Sequence, residues 1–400
     1  MGEISGVPTA DINNVDGFFT TQGGGGGITP NSVASAGSTG TQLIGSAVIL
    51  TNPDVTLAFN IGEEITQRFV KIEGGGERDV FLAITSNGEL WYNIAATETY
   101  LSWPVKDATW RRYGSDTDWD DIAYDEGYSV CMAVRDGDLW FSGVGTGRQR
   151  GDGSTTSSAS WIEIQDSLTW SKIRLGYRKS IAITSTGEVY FSGYNYDYMT
   201  GQGSQSGNTA TRTRDQNNLT GVTDADAGCY RTSLLVKDGN IYQTGRNTYL
   251  MGGPLISSTS DVNGPTLSYD GGDVVTVCGL TYWSAFAITN TGQLRFAGTG
   301  SYRQRPDNST SSQNTTSNAM DVIDGGATGY TFYAQKSRST QSQYPAIAIK
   351  NGQLKLGGGT FGHIIKEVLG ASANSTSWID AGNTTAVTAA MNISTIVIGK

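Results

Sequence analysis

Apolar residues along this chain come in short runs, and each run is followed by a tight polar turn and a second apolar run. Residues 286–298 show the pattern clearly, with an apolar segment, the turn Asn-Thr-Gly and another apolar segment. Residues 181–193 repeat it almost position for position, and residues 82–91 are the same unit. Two apolar runs joined by a turn that supplies a glycine at positive φ are typical of a β-hairpin. The pattern therefore predicts an all-β chain.

The hairpin unit returns with a period of about 50 residues, which is the length of a propeller blade rather than of a helical solenoid repeat. Shortened copies occupy residues 132–143, 234–245 and 347–358, and a degraded copy occupies residues 390–399. The turn residues that mark the period are Gly88, Gly137, Gly187, Gly239, Gly292, Gly352 and, in the seventh place, Ser394. A further apolar strand precedes each hairpin, as in residues 170–176. We therefore predict an all-β, seven-bladed β-propeller with a short extended N-terminal arm.

The consensus unit also carries a family resemblance. It reads W-x-x-I-x-x-G, then S-x-A-I-T-x-x-G-x-V-Y-x-S-G-x-N and a closing G-x-G, as in residues 170–203. This unit resembles the repeat of the regulator of chromosome condensation (RCC1) family, which implies a seven-bladed propeller from about residue 62 to residue 400. The histidine that often precedes the S-x-A-L strand in that family is absent, and Arg178, Tyr230 and Trp283 lie nearby instead. Neither an exchange loop nor a basic tail is found, so the resemblance implies the fold and not nucleotide exchange or chromatin binding. A kelch-type propeller is the structural alternative, but its glycine pair followed by spaced Tyr and Trp does not recur.

Residues 1–61 do not follow the repeat. Two small apolar clusters near the start are too small to form a core, and Gly23 to Gly27 form a flexible tether. The apolar residues of these clusters are Ile4, Val7, Ile12 and Val15. Their pattern, I-x-G-V followed by I-x-x-V-x-G, resembles the opening of many tailed-phage structural proteins. We interpret residues 1–44 as an attachment arm that anchors the chain to a virion, and residues 45–400 as the propeller.

Residues 45–61 read as one more hairpin, since two apolar runs flank Asn52-Pro53-Asp54. A propeller must hide its first and last strand edges from other chains. We therefore expect this hairpin, or one of its strands, to close the ring by pairing with residues 395–399.

Composition and charge exclude several function classes. The net charge is -10 and the Lys and Arg residues are scattered, so no basic stripe is available for nucleic acid. Cys131, Cys229 and Cys278 are too few and too far apart for a disulfide framework, and we interpret them as buried free thiols. Neither a signal peptide nor a run near the roughly 20 apolar residues that span a bilayer is visible, so no membrane insertion is expected.

Catalytic and metal-binding constellations are not expected. His363 is the only histidine, so a nucleophile, base and orienting group cannot be assembled around it. The acidic group Asp116, Asp118, Asp120, Asp121, Asp125 and Glu126 fails the EF-hand pattern, because Asp121 stands where glycine is required. We interpret it as a solvated acidic loop. Arg150-Gly151-Asp152 is interpreted as a loop of the repeat rather than as an adhesion motif.

Aromatic clusters are the candidate binding residues. Tyr194, Tyr196 and Tyr198 follow the third hairpin, and Trp103 and Trp110 lie in the stretch after the first. Exposed rings of this kind could stack on sugar faces or anchor a protein interface. The alternative for the tryptophans is packing between blades.

Taken together, these features favour a non-enzymatic virion structural protein of a tailed phage, either tail-associated or a capsid decoration, which is assembled in the host cytoplasm and located in the virion. The arm would bind other virion proteins, the assembly would impose an oligomer, and the propeller would contact a host-surface glycan or protein. No cofactor is expected. The alternatives are a propeller enzyme or lectin that acts on host surface polysaccharide through loop carboxylates, and a bacterial RCC1-like interaction scaffold.

Overall fold

The computed structural model describes the middle of the chain nearly continuously and the two ends as separate strands. The described residues are 20–22, 33–37, 49–51, 55–58, 69–75, 80–94, 100–101, 103–104, 111–125, 128–204, 207–228, 231–248, 250, 253–256, 258–278, 284–298, 320–335, 345–351, 353–358, 379–383, 388–391 and 395–399.

Four short strands come before the repeat. They are β1 (Thr20–Gln22), β2 (Val33–Gly37), β3 (Ile49–Thr51) and β4 (Val55–Ala58). β3 and β4 pair antiparallel as a hairpin within the predicted range 45–61, and β1 pairs with β4 on its other side.

Among the described strands, six four-stranded sheets follow, and each is an antiparallel meander of consecutive strands. The first sheet contains β5 (Phe69–Gly75), β6 (Val80–Thr85), β7 (Leu90–Ile94) and β8 (Arg111–Arg112). The second contains β9 (Trp119–Asp125), β10 (Val130–Arg135), β11 (Asp138–Gly143) and β12 (Ser158–Ile164). The third contains β13 (Trp170–Gly176), β14 (Lys179–Thr184), β15 (Val189–Gly193) and β16 (Thr209–Arg214).

The repeat continues in the same way. The fourth sheet contains β17 (Val222–Asp226), β18 (Thr232–Lys237), β19 (Asn240–Gly245) and β20 (Val262–Tyr269). The fifth contains β21 (Val274–Cys278), β22 (Ser284–Thr289), β23 (Leu294–Gly298) and β24 (Asp321–Val322). The sixth contains β25 (Tyr330–Gln335), β26 (Pro345–Lys350), β27 (Gln353–Gly358) and β28 (Ile379–Asn383). The last two strands are β29 (Thr388–Met391) and β30 (Thr395–Gly399), and short 3₁₀ turns lie at Gly145–Gly147, Tyr196–Tyr198 and Asp324–Gly326.

The first strands of the sheets are neighbours around a ring. β5 lies beside β9, β9 beside β13, β13 beside β17, β17 beside β21 and β21 beside β25, while β29 contacts both β25 and β5. The all-β propeller that the repeat predicts is therefore confirmed.

The predicted number of seven blades requires correction. Five four-stranded sheets, the first to the fifth, have side chains described through most of their length, and the sixth is described mainly by its backbone. The last copy of the repeat gives a three-stranded sheet in the order β2-β30-β29. Its hairpin lacks the turn glycine of the other copies, with Ser394 in that place.

The pairing of the C-terminal strand also differs from the prediction. β30 pairs antiparallel with β2, from Val33 opposite Gly399 to Gly37 opposite Thr395, whereas the hairpin β3–β4 pairs with β1. A strand from the predicted arm therefore covers the last edge. Edge closure depends on which segment reaches the edge, and the local pattern does not encode that.

Burial follows the position of a strand within its sheet. The second strands of the first, third and fifth sheets are buried at every residue, because each sheet is covered on both faces by its neighbours, and they accordingly read as nearly continuous apolar runs. The fourth strand of the third sheet, β16, is half-buried or exposed along its length and alternates Thr with Arg or Ala. Apolar clusters fill the space between sheets, as where Phe286 of the fifth sheet lies 4.2 Å from the ring of Tyr333 in the sixth.

A belt of charged and polar side chains links the first strands of five sheets. Asp121 of β9 contacts Lys71 of β5, and it accepts hydrogen bonds from Arg174 Nη1 at 2.9 Å and from the backbone N–H of Ile173 at 2.8 Å. Arg174 Nη2 donates to Asp224 at 2.9 Å, and the hydroxyl of Thr276 donates to the other oxygen of Asp224. The members of this inner belt are Lys71, Asp121, Arg174, Asp224 and Thr276.

The electrostatics of the inner belt favour the charged forms of Asp121 and Arg174, whereas burial and the positive charge of Arg174 lower the pKa of Lys71. Burial alone would raise the pKa of Asp121, but the positive charges of Lys71 and Arg174 outweigh burial and lower it. Burial would lower the pKa of Arg174, but the carboxylates of Asp121 and Asp224 raise it. Asp121 and Arg174 are therefore ionised, and each contacts charged side chains of both neighbouring sheets.

Two of the three cysteines lie in the described part of the chain. Cys131 is buried, as predicted, whereas Cys278 of β21 is half-buried. Burial of its sulfur raises the pKa of Cys278 well above the ordinary value, so its thiol is protonated at neutral pH. Cys229 lies outside the described residues.

Candidate functional site

The antiparallel order of each sheet places its connections on two opposite faces of the ring. The segments that join the first strand to the second and the third strand to the fourth lie on one face, which we call the loop face. The tight hairpin turns and the connections to the next sheet lie on the other, which we call the turn face.

A row of tyrosine and arginine side chains crosses the loop face over three sheets. The guanidinium of Arg178 lies 3.9 Å from the ring centroid of Tyr128 and 4.7 Å from that of Tyr194, and its Nη1 donates to the Tyr194 hydroxyl at 2.6 Å. Tyr194 packs edge-on against Tyr196 at 5.5 Å, and Arg231 lies 5.2 Å from the Tyr196 ring. We call these five residues the Tyr–Arg ladder.

The ladder is partly open to solvent. Tyr196 is 48% exposed, and the other four members are half-buried. Arg231 also forms an ion pair with Asp197 at 2.9 Å, which fixes its position beside Tyr196. The ladder is therefore a fixed row of rings and guanidinium groups with one ring projecting.

Backbone conformations also distinguish the two faces. Among the described residues other than glycine, positive φ on the turn face occurs only at Asp136, Asn218, Asp238 and Asn351, the residue types that tolerate it. On the loop face it occurs at Ser129, Arg148, Tyr177, Arg178, Asp197, Tyr198 and Leu250. Large side chains in this conformation are sterically unfavourable and tend to cluster at functional sites. The strained positions therefore point to the loop face.

Hydrogen bonds from the third and fourth sheets each hold the long loop of the preceding sheet. The hydroxyls of Ser180 and Ser192 donate to the carbonyl oxygen of Gln149 at 2.8 and 2.9 Å. One sheet further on, Ser233 donates to the Met199 carbonyl at 2.9 Å and Thr244 donates to the Tyr198 carbonyl at 2.9 Å. The recurrent serine of the sequence motif therefore positions the long loop of the preceding sheet, and in the third sheet this loop carries Tyr194 and Tyr196.

The predicted binding residues have different environments in the structure. Tyr194 and Tyr196 belong to the ladder, and Tyr198 is half-buried beside them, with its carbonyl held by the next sheet. Trp103 is only 3% exposed, and its Nε1 donates to the Ser142 hydroxyl at 3.2 Å. It is therefore a packing residue between the first and second sheets and not an exposed ring. Trp110, Ile4, Val7, Ile12 and Val15 lie outside the described residues.

Sequence reasoning did not identify three members of the ladder, Tyr128, Arg178 and Arg231. Each lies in the short connection between the first and second strands of its sheet. The available signal was the segment Gly-Tyr-Arg-Lys at 176–179, where two large residues occupy a tight turn that glycine or asparagine would favour.

The acidic group of the second sheet does not form the single solvated loop that we expected. Asp116 and Asp118 pair with Arg135 at 2.9 and 2.7 Å, whereas Asp121 and Asp125 are buried at 6% and 4% exposure. Within the described ranges, no group of three or more His, Cys, Asp or Glu is placed to hold a metal ion. The carboxylates serve different structural contacts because Asp116 and Asp118 precede β9, whereas Asp121 and Asp125 lie at buried positions within it.

The tripeptide at 150–152 is held within its own loop. Arg150 Nε forms an ion pair with Asp152 at 2.6 Å, and both side chains are mostly buried. Asp152 also forms an antiparallel bridge with Thr211 in the next sheet. No helix in the described part of the chain is long and apolar enough to cross a membrane.

Comparison with known proteins identifies the fold. No protein-family model matches the sequence, and no curated protein matches it. Human WBSCR16 superposes with a TM-score of 0.67 and 17% identity, over 93% of this chain and 99% of that one. Yeast RCC1 (Prp20), solved bound to Kap60, superposes with a TM-score of 0.68 and 11% identity, over 100% of this chain and 93% of that one.

A second structure of Prp20p from Saccharomyces cerevisiae, described with its binding properties to Gsp1p and histones, gives a TM-score of 0.66 and 11% identity over 100% of this chain and 96% of that one. The chain is therefore similar in fold to RCC1-like propellers, as the repeat implies. At these identities the likeness extends to the fold alone.

Proposed function

We propose that this chain is a non-enzymatic protein-interaction module that binds its partner through the loop face. The observation that carries the proposal is the Tyr–Arg ladder, since tyrosine and arginine are among the residues most enriched at the energetic centres of protein interfaces. Tyr196 is the projecting ring, and Arg178 and Arg231 flank the tyrosine pair. A preorganised row of this kind loses little side-chain entropy when a partner binds.

The rest of the molecule supports this assignment. The inner belt and the clamped loops give a rigid platform, and rigid scaffolds commonly present binding residues on loops. The structures of similar fold include yeast Prp20 bound to Kap60, and Prp20p is described with binding to Gsp1p and histones. Propellers of this shape can therefore serve as protein-binding platforms. We also propose that the sheet β2-β30-β29 takes the place of a seventh blade.

Site-specific photo-crosslinking tests the proposed function. A photoreactive amino acid is placed at position 196 on the loop face or at position 275 near the start of β21, at the opposite end of the sheet, where Val275 is 50% exposed. The full chain is then illuminated in an extract of the cells that make it. We expect a discrete crosslinked protein only from position 196, and a weaker yield when Arg178→Ala is added. Equal crosslinking from both positions, or none from position 196, would contradict the proposal.

The virion role and location stay predictions. They rest on residues 1–44, whose proposed anchoring positions lie outside the described residues. Electron microscopy of purified particles would decide them, because a chain found free in the lysate and never on virions contradicts a structural role. The enzymatic alternative is tested by incubation with host envelope glycans, where new reducing ends would contradict the non-enzymatic proposal.

A further inference from the structure

Arginines on the turn face are matched to carboxylates of their own sheet or its neighbour. In the described part of the chain, Arg135 pairs with Asp118 at 2.7 Å, and Arg214 pairs with Glu188 at 2.9 Å. Arg112 and Arg295 have equivalent partners at 2.8 Å. These cations are therefore neutralised within the folded chain.

Two arginines of the loop face have a different environment. Arg178 contacts the rings of Tyr128 and Tyr194 and the Tyr194 hydroxyl. Arg148 donates to the backbone carbonyl of Asn208 at 3.3 Å. Neither guanidinium has a carboxylate partner among the described residues, although both side chains are half-buried. The one carboxylate contact in this pair is made by the Arg178 backbone, whose N–H donates to Asp125 at 2.9 Å.

The two arginines share one junction, between the second and third sheets. Gly147, which precedes Arg148, packs against Arg178, since a methyl group placed on Gly147 would lie 3.6 Å from Arg178 Cβ. Both arginines also have positive φ, at 61° and 60°. The backbone is thus held in an unfavourable conformation at both positions, next to each other in space.

The chain contains more acidic than basic residues, so the lack of a carboxylate beside these two guanidinium groups is unexpected. The chain has 37 acidic and 27 basic residues. Carboxylates are therefore in excess, and a shortage of carboxylates does not explain an arginine that lacks a carboxylate partner. A half-buried guanidinium without a counter-charge is less stable than one paired with a carboxylate. The junction is therefore complementary to an incoming anion.

We propose that Arg148 and Arg178 bind carboxylate side chains of an acidic polypeptide segment, which crosses the loop face along the Tyr–Arg ladder. This inference rests on the proposed function and specifies the chemistry of the partner. An acidic peptide fits better than nucleic acid, because a long polyanion would also meet the repulsion of a chain with a net charge of -10. A short segment lies only on the local positive junction and adds apolar contacts to Tyr196.

Fluorescence anisotropy with a labelled peptide of eight glutamates tests the inference on the full chain. The comparison probes are an eight-glutamine peptide, an eight-residue oligothymidylate and a heparin octasaccharide. We expect the wild type to prefer the glutamate peptide to all three. The double variant Arg148→Gln and Arg178→Gln should weaken its binding about a hundredfold, because each of the two lost charge-assisted hydrogen bonds accounts for roughly tenfold.

Matched controls separate binding from folding. The double variant Arg135→Gln with Arg214→Gln removes two positive charges from the turn face. It should leave the affinity for the glutamate peptide within about twofold, because salt screens the attraction between the peptide and charges far from the binding site. Arg178→Lys keeps the charge and should retain part of the binding, and melting temperatures confirm that each variant folds.

Three results would overturn the inference: no preference for the glutamate peptide over the glutamine peptide, tighter binding of oligothymidylate or heparin, or an unchanged affinity in the loop-face double variant. If position 196 still crosslinks a protein while any of these results holds, the proposed function stands and only the acidic partner is wrong. If position 196 gives no crosslink, the proposed function itself fails.

Discussion

Replacing Asp121 by asparagine removes the central charge of the inner belt and leaves the shape of the side chain nearly unchanged. The carboxylate is only 8% exposed. It forms an ion pair with Lys71 and accepts hydrogen bonds from the Arg174 guanidinium and the backbone N–H of Ile173. An asparagine amide in the same place has one acceptor oxygen, and its NH₂ group would face one of the two cations. Asp121→Asn therefore removes the carboxylate that lies between the cations of the first and third sheets. Arg174 keeps its contact with Asp224 at 2.9 Å, and Lys71 keeps only the longer contact with Glu73 at 3.8 Å.

The expected loss of unfolding free energy is about 3 kcal/mol. Removing one partner of a buried ion pair costs about 3–5 kcal/mol. The side chains of Lys71 and Arg174 are 19% and 22% exposed, so water can solvate part of the uncovered charge and the lower end of that range applies. The matched control is Asp238→Asn, where the carboxylate is 72% exposed and pairs with Lys237 in the same turn. An exposed pair contributes about 0.2–1 kcal/mol.

Equilibrium urea denaturation, followed by tryptophan fluorescence, measures both variants. We expect the Asp121→Asn midpoint to fall well below that of Asp238→Asn, with an unchanged m-value because the same surface is exposed on unfolding. If the two variants lose the same free energy, the inner belt does not stabilise the ring and its contacts are incidental.

Two further predictions concern pH and the backbone. Burial raises the pKa of Asp121, but its two cationic partners outweigh burial and hold the pKa below its ordinary value. Its contribution is therefore present above the unfolded-chain pKa of about 3.9 and is lost as the pH falls through the lower folded value. Melting temperature should consequently fall more steeply below about pH 4 in the wild type than in Asp121→Asn, and parallel curves would contradict this assignment. Gly143→Ala should destabilise by about 3 kcal/mol or more, because its methyl group would lie 2.0 Å from the Ser129 carbonyl oxygen at φ +122°. Gly221→Ala, at φ +70° with open space around it, should lose only about 1–2 kcal/mol in thermal or urea unfolding, and equal losses would refute the clash.

Much of the fold follows from local pattern, as the third hairpin illustrates. The apolar run of β14, the turn glycine Gly187 and the apolar run of β15 lie where the repeat predicts them. The threonine of the motif also has a local reason, because the Thr184 hydroxyl accepts the N–H of Glu188 at 3.0 Å and closes the turn. Interactions of this range are contained in a few neighbouring residues.

The candidate site was only partly predictable. Tyr194 and Tyr196 were identified as an aromatic cluster because they are close in the sequence, but Trp103 looked equivalent and is buried. Arg178 could not be linked to Tyr128 from sequence, since the two meet only where adjacent sheets pack. Exposure and partners depend on neighbouring sheets, and a single unit of the repeat does not contain that information.

The amino-acid sequence by itself determined the all-β class, the blade period and the hairpin turns, because apolar alternation and glycine at positive φ act over a few residues. Only the tertiary structure decided which distant residues meet. It joined Asp121 to Lys71 and Arg174 across two sheet boundaries, and it covered the C-terminal strand with Val33–Gly37. The physical reason is that a sheet edge or a buried charge accepts any partner of suitable chemistry, and closure of the ring determines which one is within reach.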